Sequence, residues 1–388
     1  MSIQKRAPGR YEVSVDDGFD EKTGKRRRKW MSVPGTKKEA EKAERELLSQ
    51  RDRGIALVPT GVLFGEYLER WLTEYAESNV APSTFCRYQI VVRKHLVPHL
   101  GHLRLDQIQP VHVQTIHRIC KAEGLAQSTV RQHHRILSKA LKLAVQWRLI
   151  QSNPAASISA PRVPRHEMHV LDGAETKALL QFARGDPMYA FAYLAIQTGA
   201  RNGELCGLRW SDIDWSGGRL SIRRTAQRLP GQGLQMQPTK THRSSRSVSL
   251  SPDSLAFLKE LLPETEPASE QAAGPSLGYV LPQPTGEPYE PGQITKGFRR
   301  LQKKAGLPDG FRFHDLRHTA ATLLMSAGVH PKVVSERMGH ATVSITLDTY
   351  SHVLPSLQDE AALAMDNILR ADGADGADGA DGAEAEDP

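Results

Sequence analysis

Nineteen residues divide this chain. Residues 151–169 hold Pro154, Pro161 and Pro164 and little apolar periodicity, so no helix or strand is expected to run through them. The sequence on either side must therefore bury its own core. The 388 residues allow two or three domains at roughly 150 residues each. A further change of pattern near residue 59 marks off a small unit. The expected organisation is an N-terminal domain over 1–58, a helical bundle over 60–150, a linker over 151–169, a larger domain over 170–370 and a tail over 371–388. The tail repeats Ala-Asp-Gly, whose small side chains and one-sign charge cannot build a core.

Charge narrows the function. The chain carries 51 Lys and Arg against 44 Asp and Glu, and seven of those acids lie in the last eighteen residues. The body is thus more basic than the net charge of +7 suggests. Such an excess on a folded body points to a polyanionic partner, most often nucleic acid. Cys86, Cys120 and Cys206 form no CxxC pair, which argues against a disulfide scaffold or a Cys-rich zinc site and fits a reducing cytosol. No run of about 18 apolar residues is long enough for a membrane span.

In the first unit, Arg10 to Asp16 alternates like a strand, and Arg27 to Val33 reads as its returning partner. Thr36 and Glu39 make a capping-box pattern ahead of a charged helix that ends near Gln50. The hairpin carries Arg26, Arg27, Arg28 and Lys29 beside Trp30. A two-stranded ribbon fits the DNA major groove, and these bases can contact phosphates. The same run could be a solvated face or a localisation signal.

Residues 60–150 read as four helices, opened by Leu63, Pro82, Pro110 and Ser128. Arg87, Lys94, Arg131 and Lys139 are candidates for a basic face laid on a phosphate backbone. In the third domain, Leu179 to Gln197 reads as one apolar helix that stops at Thr198-Gly199-Ala200. Arg201 follows near a helix N-terminus, where an anion is already favoured. Arg219 to Gln227 and Arg246 to Leu250 read as strands, with Lys240 in the polar turn between them. Residues 263–292 read as a loop, and Gln293 to Ala305 as a helix.

The segment 311–353 concentrates the chemistry. His314, Arg317 and His318 open an apolar helical run. Gly328 makes a turn, a short helix leads to Met338-Gly339-His340, and Tyr350 lies ten residues on. His314 and His318 share a helix face, a spacing that also suits zinc. Asp315, however, stands where the zinc-protease helix has Glu. Taken singly, His318 and Tyr350 fit a packed core better than a catalytic role. Together, the cationic donors could activate a phenol, ordinarily of pKa roughly 10, for attack on an anion.

Arg201, Lys240, His314, Arg317, His340 and Tyr350, in that order, resemble the catalytic set of the tyrosine recombinases, the phage-integrase family. TGARNGEL resembles the box of the family's first arginine, and PTKTHRSSRSVSL its strand-turn-strand lysine. HDLRHT resembles its His-x-x-Arg box, and GHATVSITLDTYSHV its closing His-to-Tyr segment. No catalytic box departs from the pattern. The resemblance covers about residues 60–370, and residues 1–58 resemble the arm-binding domain of mobile-element integrases. The tail has no counterpart.

The resemblance implies a multidomain tyrosine recombinase fold. Its parts are a small α+β N-terminal domain, an all-α core-binding bundle, and a mainly α catalytic domain with a small antiparallel sheet. It implies site-specific cutting and rejoining of DNA through a 3′-phosphotyrosine at Tyr350. Arg201, Arg317 and His340 would hold the phosphate, His314 would help remove the phenol's proton, Lys240 would protonate the leaving oxygen, and Glu204 would orient its neighbours. It implies no metal or other cofactor. The implied partners are double-stranded attachment sites, a homotetramer on DNA, a directionality factor and a host DNA-bending protein. The implied location is the cytoplasm, at the nucleoid. A chromosome-dimer resolvase, a type IB topoisomerase or a non-cleaving DNA-binding regulator are the alternatives.

Overall fold

In the computed structural model of the chain, Val13 and Val15 alternate with polar residues along the strand Arg10–Phe19 and lie buried on one face. Arg10–Phe19 is the middle of an antiparallel sheet between Ile3–Ala7 and Arg26–Pro34. Ala40 and Leu47 of the helix Lys37–Asp52 close the small core over that face. Thr36 and Glu39 cap this helix reciprocally: the Thr36 N–H donates to Glu39 at 2.6 Å and the Glu39 N–H to Thr36 at 3.4 Å. Sequence reading misses the first strand, because four of its five residues are exposed and show no alternation.

The structure describes residues 3–19, 26–52, 61–164, 168–239, 245–262, 278–350, 362–363 and 365–369. The chain divides into two compact units, Met1–His166 and Glu167–Pro388. The first contains the sheet just described and a helical bundle with its own core. One bundle helix runs Phe64–Trp71 and continues through a π turn, Leu72–Ala76. A second runs Pro82–Val91 and continues through another, Val92–Leu96. Pro110–Ala122 and Gln127–Gln146 complete the bundle. Proline at the first helical position of the second and third helices is pre-set for the helix and lacks an N–H that would go unpaired there. Tyr67, Leu68, Trp71, Leu96, Ile116 and Leu137 fill the core. The Tyr67 hydroxyl donates to the Ala140 carbonyl at 2.6 Å.

The expected linker starts later than its prolines suggest. Ala155 is buried in the bundle core, and the Asn153 amide donates to the Ser138 carbonyl at 3.0 Å. Pro154 ends the periodicity, but a turn can still bury one side chain, and periodicity does not register that.

The second unit is mainly helical. One expected helix is two, Gly173–Phe182 and Tyr189–Thr198. The break falls at Gly185, at φ +82°, and Pro187. Strands Ile213–Asp214, Arg219–Ile222 and Arg246–Ser249 form one antiparallel sheet. Arg224–Leu229 and Gly233–Pro238 form a separate hairpin, so the expected strand over 219–227 is also two. Helices Pro252–Glu260, Pro291–Lys304 and Asp315–Ser326 surround a core that includes Phe191, Leu205, Trp210, Phe298 and Leu316. Ala320, Ala321 and Met325 pack on Val334 and Met338 and so fix the Pro331–Met338 helix.

Residues 365–369 are helical, with Leu363, Met365, Ile368 and Leu369 all more than half exposed. The Ala-Asp-Gly tail lies outside the described residues. Among the described residues, no helix is long and apolar enough to cross a membrane.

Candidate active site

Two helices end beside each other, and their C-termini organise the site. Tyr189–Thr198 ends at Gly199 and Pro331–Met338 at Gly339, each in the left-handed region at φ +64° and +65°. A helix end leaves carbonyls without intrahelical partners and carries partial negative charge. Four arginines satisfy these carbonyls. Arg317, almost wholly buried, donates to Gly199 and to Met338. Arg337 donates to Gln197 at 2.5 Å, Arg246 to Arg337 at 2.6 Å and Arg201 to Gly339 at 3.4 Å. The two helix ends thus compensate a positive cluster of which Arg317 and Arg246 are buried.

Glu204 is the carboxylate inside this cluster. It receives Arg201 Nη1 at 2.8 Å, Arg246 Nη2 at 3.0 Å and the Arg201 N–H at 2.9 Å. Burial opposes its ionisation, but Arg246 and Arg201 outweigh that and hold its carboxyl below the usual range. The helix Asn202–Cys206 that carries Glu204 lies close on the hairpin: a Cβ at Gly203 would stand 2.5 Å from Thr225 Oγ1. Four guanidinium groups against one carboxylate leave a net positive site, suited to an anion.

His340 follows directly. Its Nδ1 lies 2.8 Å from the Thr346 hydroxyl on the helix Val343–Tyr350. Burial, with Arg317 and Arg201 next in weight, pushes its pKa down to about 4. His314 stands just ahead of the Asp315–Ser326 helix, its ring 5.0 Å from that of His318. Burial, His318 and Arg317 push His314 to about 4 as well. Both rings are neutral at pH 7 and can exchange hydrogen bonds with a phosphate or a phenol.

The structure brings Arg201, Glu204, Arg317 and His340 together, with His314 beside Arg317. Tyr350 is the last residue of its helix, and its side chain lies outside the described part. Lys240 lies outside the described residues; of the two strands expected on either side of it, Arg219–Ile222 pairs antiparallel with Arg246–Ser249. Arg246 and Arg337 were missed. Arg246 stands in the same box as Lys240, but its partner Glu204 is 42 residues away, and no local spacing signals such a pair.

The candidate DNA contacts are scattered. Arg87 and Lys94 are exposed and Arg131 is half-buried. Lys139 is committed elsewhere: its ammonium lies 5.5 Å from both the Tyr75 and Tyr88 ring centres. In the N-terminal sheet, Arg28 and Trp30 are exposed, and Arg26 pairs with Asp16. Lys29 pairs with Val15 and is half-buried, on the strand face that also carries Met31. The Arg27 side chain lies outside the described part. A basic groove that the sequence did not signal runs along Pro291–Lys304, lined by Lys296, Arg299, Arg300 and Lys303 with Tyr289 and Met188.

The signature of the phage integrase family matches residues 169–356. That of the phage integrase N-terminal SAM-like domain matches residues 63–118. The chain is 28% identical to a "Tyrosine recombinase XerC-like" protein of Caldanaerobacter subterraneus subsp. tengcongensis, over 92% of this chain and 96% of that one. It is 27% identical to the ICEBs1 integrase of Bacillus subtilis, over 95% of this chain and 100% of that one. Its fold matches the Tn1549 transposon integrase solved with a circular intermediate DNA, at TM-score 0.67 and 22% identity over 79% of this chain and 99% of that one. It also matches a lambda integrase dimer bound to a COC′ core site, at TM-score 0.57 and 22% identity over 90% and 94%.

Proposed function

This chain belongs to the phage integrase family and is a tyrosine-type site-specific DNA recombinase, and from that premise we propose the chemistry its residues carry. The arginine cluster at the two helix ends is the observation that carries the proposal. A DNA phosphodiester is an anion, and in-line attack adds negative charge to its non-bridging oxygens. Arg201 and Arg317 hold those oxygens, already oriented by Glu204 and by the Gly199 and Met338 carbonyls. His340 donates a further hydrogen bond, with its other nitrogen fixed by Thr346.

The Tyr350 oxygen then attacks phosphorus as the bond to the 5′-oxygen breaks. The phenol's proton leaves by way of His314, and Lys240 protonates the departing oxygen. The product is a 3′-phosphotyrosine and a free 5′-hydroxyl. The covalent bond retains the phosphodiester energy, so the partner strand's 5′-hydroxyl can reverse the step and exchange strands. Glu204 positions the arginines and does not react.

The finer assignment is an integrase that inserts or excises a mobile element at attachment sites. Residues 1–58 would bind DNA apart from the crossover core, the bundle would grip the core, and four copies would assemble on the two duplexes. The exposed stripe of Leu363, Met365, Ile368 and Leu369 would dock on a neighbouring copy. Relatives named as integrases match nearly the whole length of the chain, which supports this reading over resolvase or topoisomerase.

Single-turnover cleavage of a core site tests the phosphate contacts. Arg201→Ala and Arg317→Ala should each slow cleavage by far more than tenfold, since loss of one transition-state donor costs roughly 3–4 kcal/mol. A rate within about tenfold of the parent for either would reject its assignment.

A further inference from the structure

The bundle holds a second cluster, apart from the residues assigned to strand cleavage. His95, Cys120 and His133 come from three different helical segments, yet their donor atoms all lie within 4.8 Å of one another. Cys120 and His133 are buried, and the His95 side chain is about one-fifth exposed. The sequence does not signal this, because zinc patterns are read from close spacing, and these residues stand 25 and 13 positions apart.

We propose that His95, Cys120 and His133 bind a zinc ion that ties three bundle segments together. Tetrahedral zinc, at about 2.3 Å from sulfur and about 2.1 Å from nitrogen, separates those ligands by about 3.6 Å. Cys120 Sγ and His133 Nδ1 are 3.5 Å apart. The imidazole centres of His95 and His133 lie 4.5 Å apart with the rings tilted by 35°, and the ligand set, whose donors lie within 4.8 Å of one another, has to tighten by about an ångström to take the ion. Glu123 is half exposed, 3.6 Å from His95 Nδ1 and 4.0 Å from His99 Nε2, and a rotation of its side chain away from His99 would supply the fourth ligand. One thiolate with imidazoles and a carboxylate is a donor set that suits zinc over calcium or magnesium.

The backbone supports the same assignment. His95 lies in the π turn Val92–Leu96, a widened turn of the kind that often marks functional positions. On binding, Cys120 gives up its proton to solvent and sulfur takes the metal. The ion would fix the mutual spacing of Lys94, Lys121 and Arg131, basic residues beside the ligands, while taking no part in strand cleavage. A Cys–His hydrogen bond between packed rings is the competing account, and it predicts no metal uptake.

The experiment is a cobalt titration of the full-length, untagged chain after removal of metal by a chelator. One equivalent of Co²⁺ should give the thiolate-to-cobalt charge-transfer band, and Zn²⁺ should displace it. Zinc at a hundredfold over its dissociation constant should raise the melting temperature of the bundle by roughly 10 °C or more. Cys120→Ala should abolish the band. His95→Gln, at the most exposed ligand, should weaken cobalt binding at least tenfold while its circular dichroism stays that of the parent. Absence of the band in the parent, or a band that survives in Cys120→Ala or keeps its affinity in His95→Gln, would overturn the proposal.

Discussion

Arg246→Met tests the arginine cluster without any DNA present. In the parent, Glu204 is 4% exposed and shared between Arg246, 5% exposed, and Arg201, 38% exposed. The substitution keeps most of the volume but removes the buried partner. Glu204 then faces only Arg201, whose pull is screened by water. The Arg337 carbonyl also loses the donor it has at 2.6 Å. Breaking a buried pair costs about 3–5 kcal/mol when its partner stays charged, and we expect a loss near the lower end because Arg201 remains. Urea unfolding at pH 7 measures it. Adding Glu204→Gln removes the stranded charge, so the double variant should lie at least about 1 kcal/mol closer to the parent than the sum of the single losses. The pH dependence has a definite sign. The Glu204 carboxyl is depressed below its ordinary 4.5, so its contribution is present above that value and is lost as pH falls through the depressed pKa. The parent and Arg246→Met should therefore converge in acid. A loss under about 1 kcal/mol, or strict additivity in the double variant, would refute the reasoning.

Two further outcomes follow from the same site and its neighbourhood. His314 and His340 titrate near 4 when folded and near 6.5 when unfolded, so the unfolded chain binds more protons between those values. Stability should fall as pH drops from about 6.5 towards 4 and stay flat above; His340→Asn should flatten that slope in thermal melts, and an unchanged slope would contradict the His340 shift. Deletion of residues 371–388 should leave recombination near the parent level. Deletion of 356–388, which also removes the exposed apolar stripe, should abolish strand exchange while core-site binding remains measurable, and equal recombination by both deletions would refute interprotomer docking.

Local signals carried the fold where chemistry is local. Proline at helix starts, the Thr36–Glu39 cap and the helix stop at Gly199 were all readable. Arg201, Arg317 and His340 are named as candidates by short boxes that resemble the family's, and the structure brings them together at two helix ends. What escaped depends on distance along the chain or on misleading composition. Glu204 meets Arg246 only through the fold, and Arg337 reaches a carbonyl 140 residues away. The second strand of the hairpin, Gly233–Pro238, has no counterpart in the sequence reading, because Pro230 and Gly231 look like irregular chain and the strand is half-buried without alternation. The break at Gly185 and Pro187 was visible as composition but was overruled by the apolar run around it. His95, Cys120 and His133 were invisible for the same reason as Glu204 and Arg246: three helices bring together what spacing does not.

The central claim is that Tyr350 becomes covalently joined to DNA while the surrounding cations hold the phosphate. The direct measurement is covalent trapping on a nicked suicide core site, comparing the parent with Tyr350→Phe at matched DNA occupancy. The account predicts that the parent accumulates a protein–DNA adduct whose phosphate maps to the Tyr350 peptide, and that Tyr350→Phe binds as tightly but forms none. An adduct that persists in Tyr350→Phe, or that maps to another residue in the parent, would contradict it.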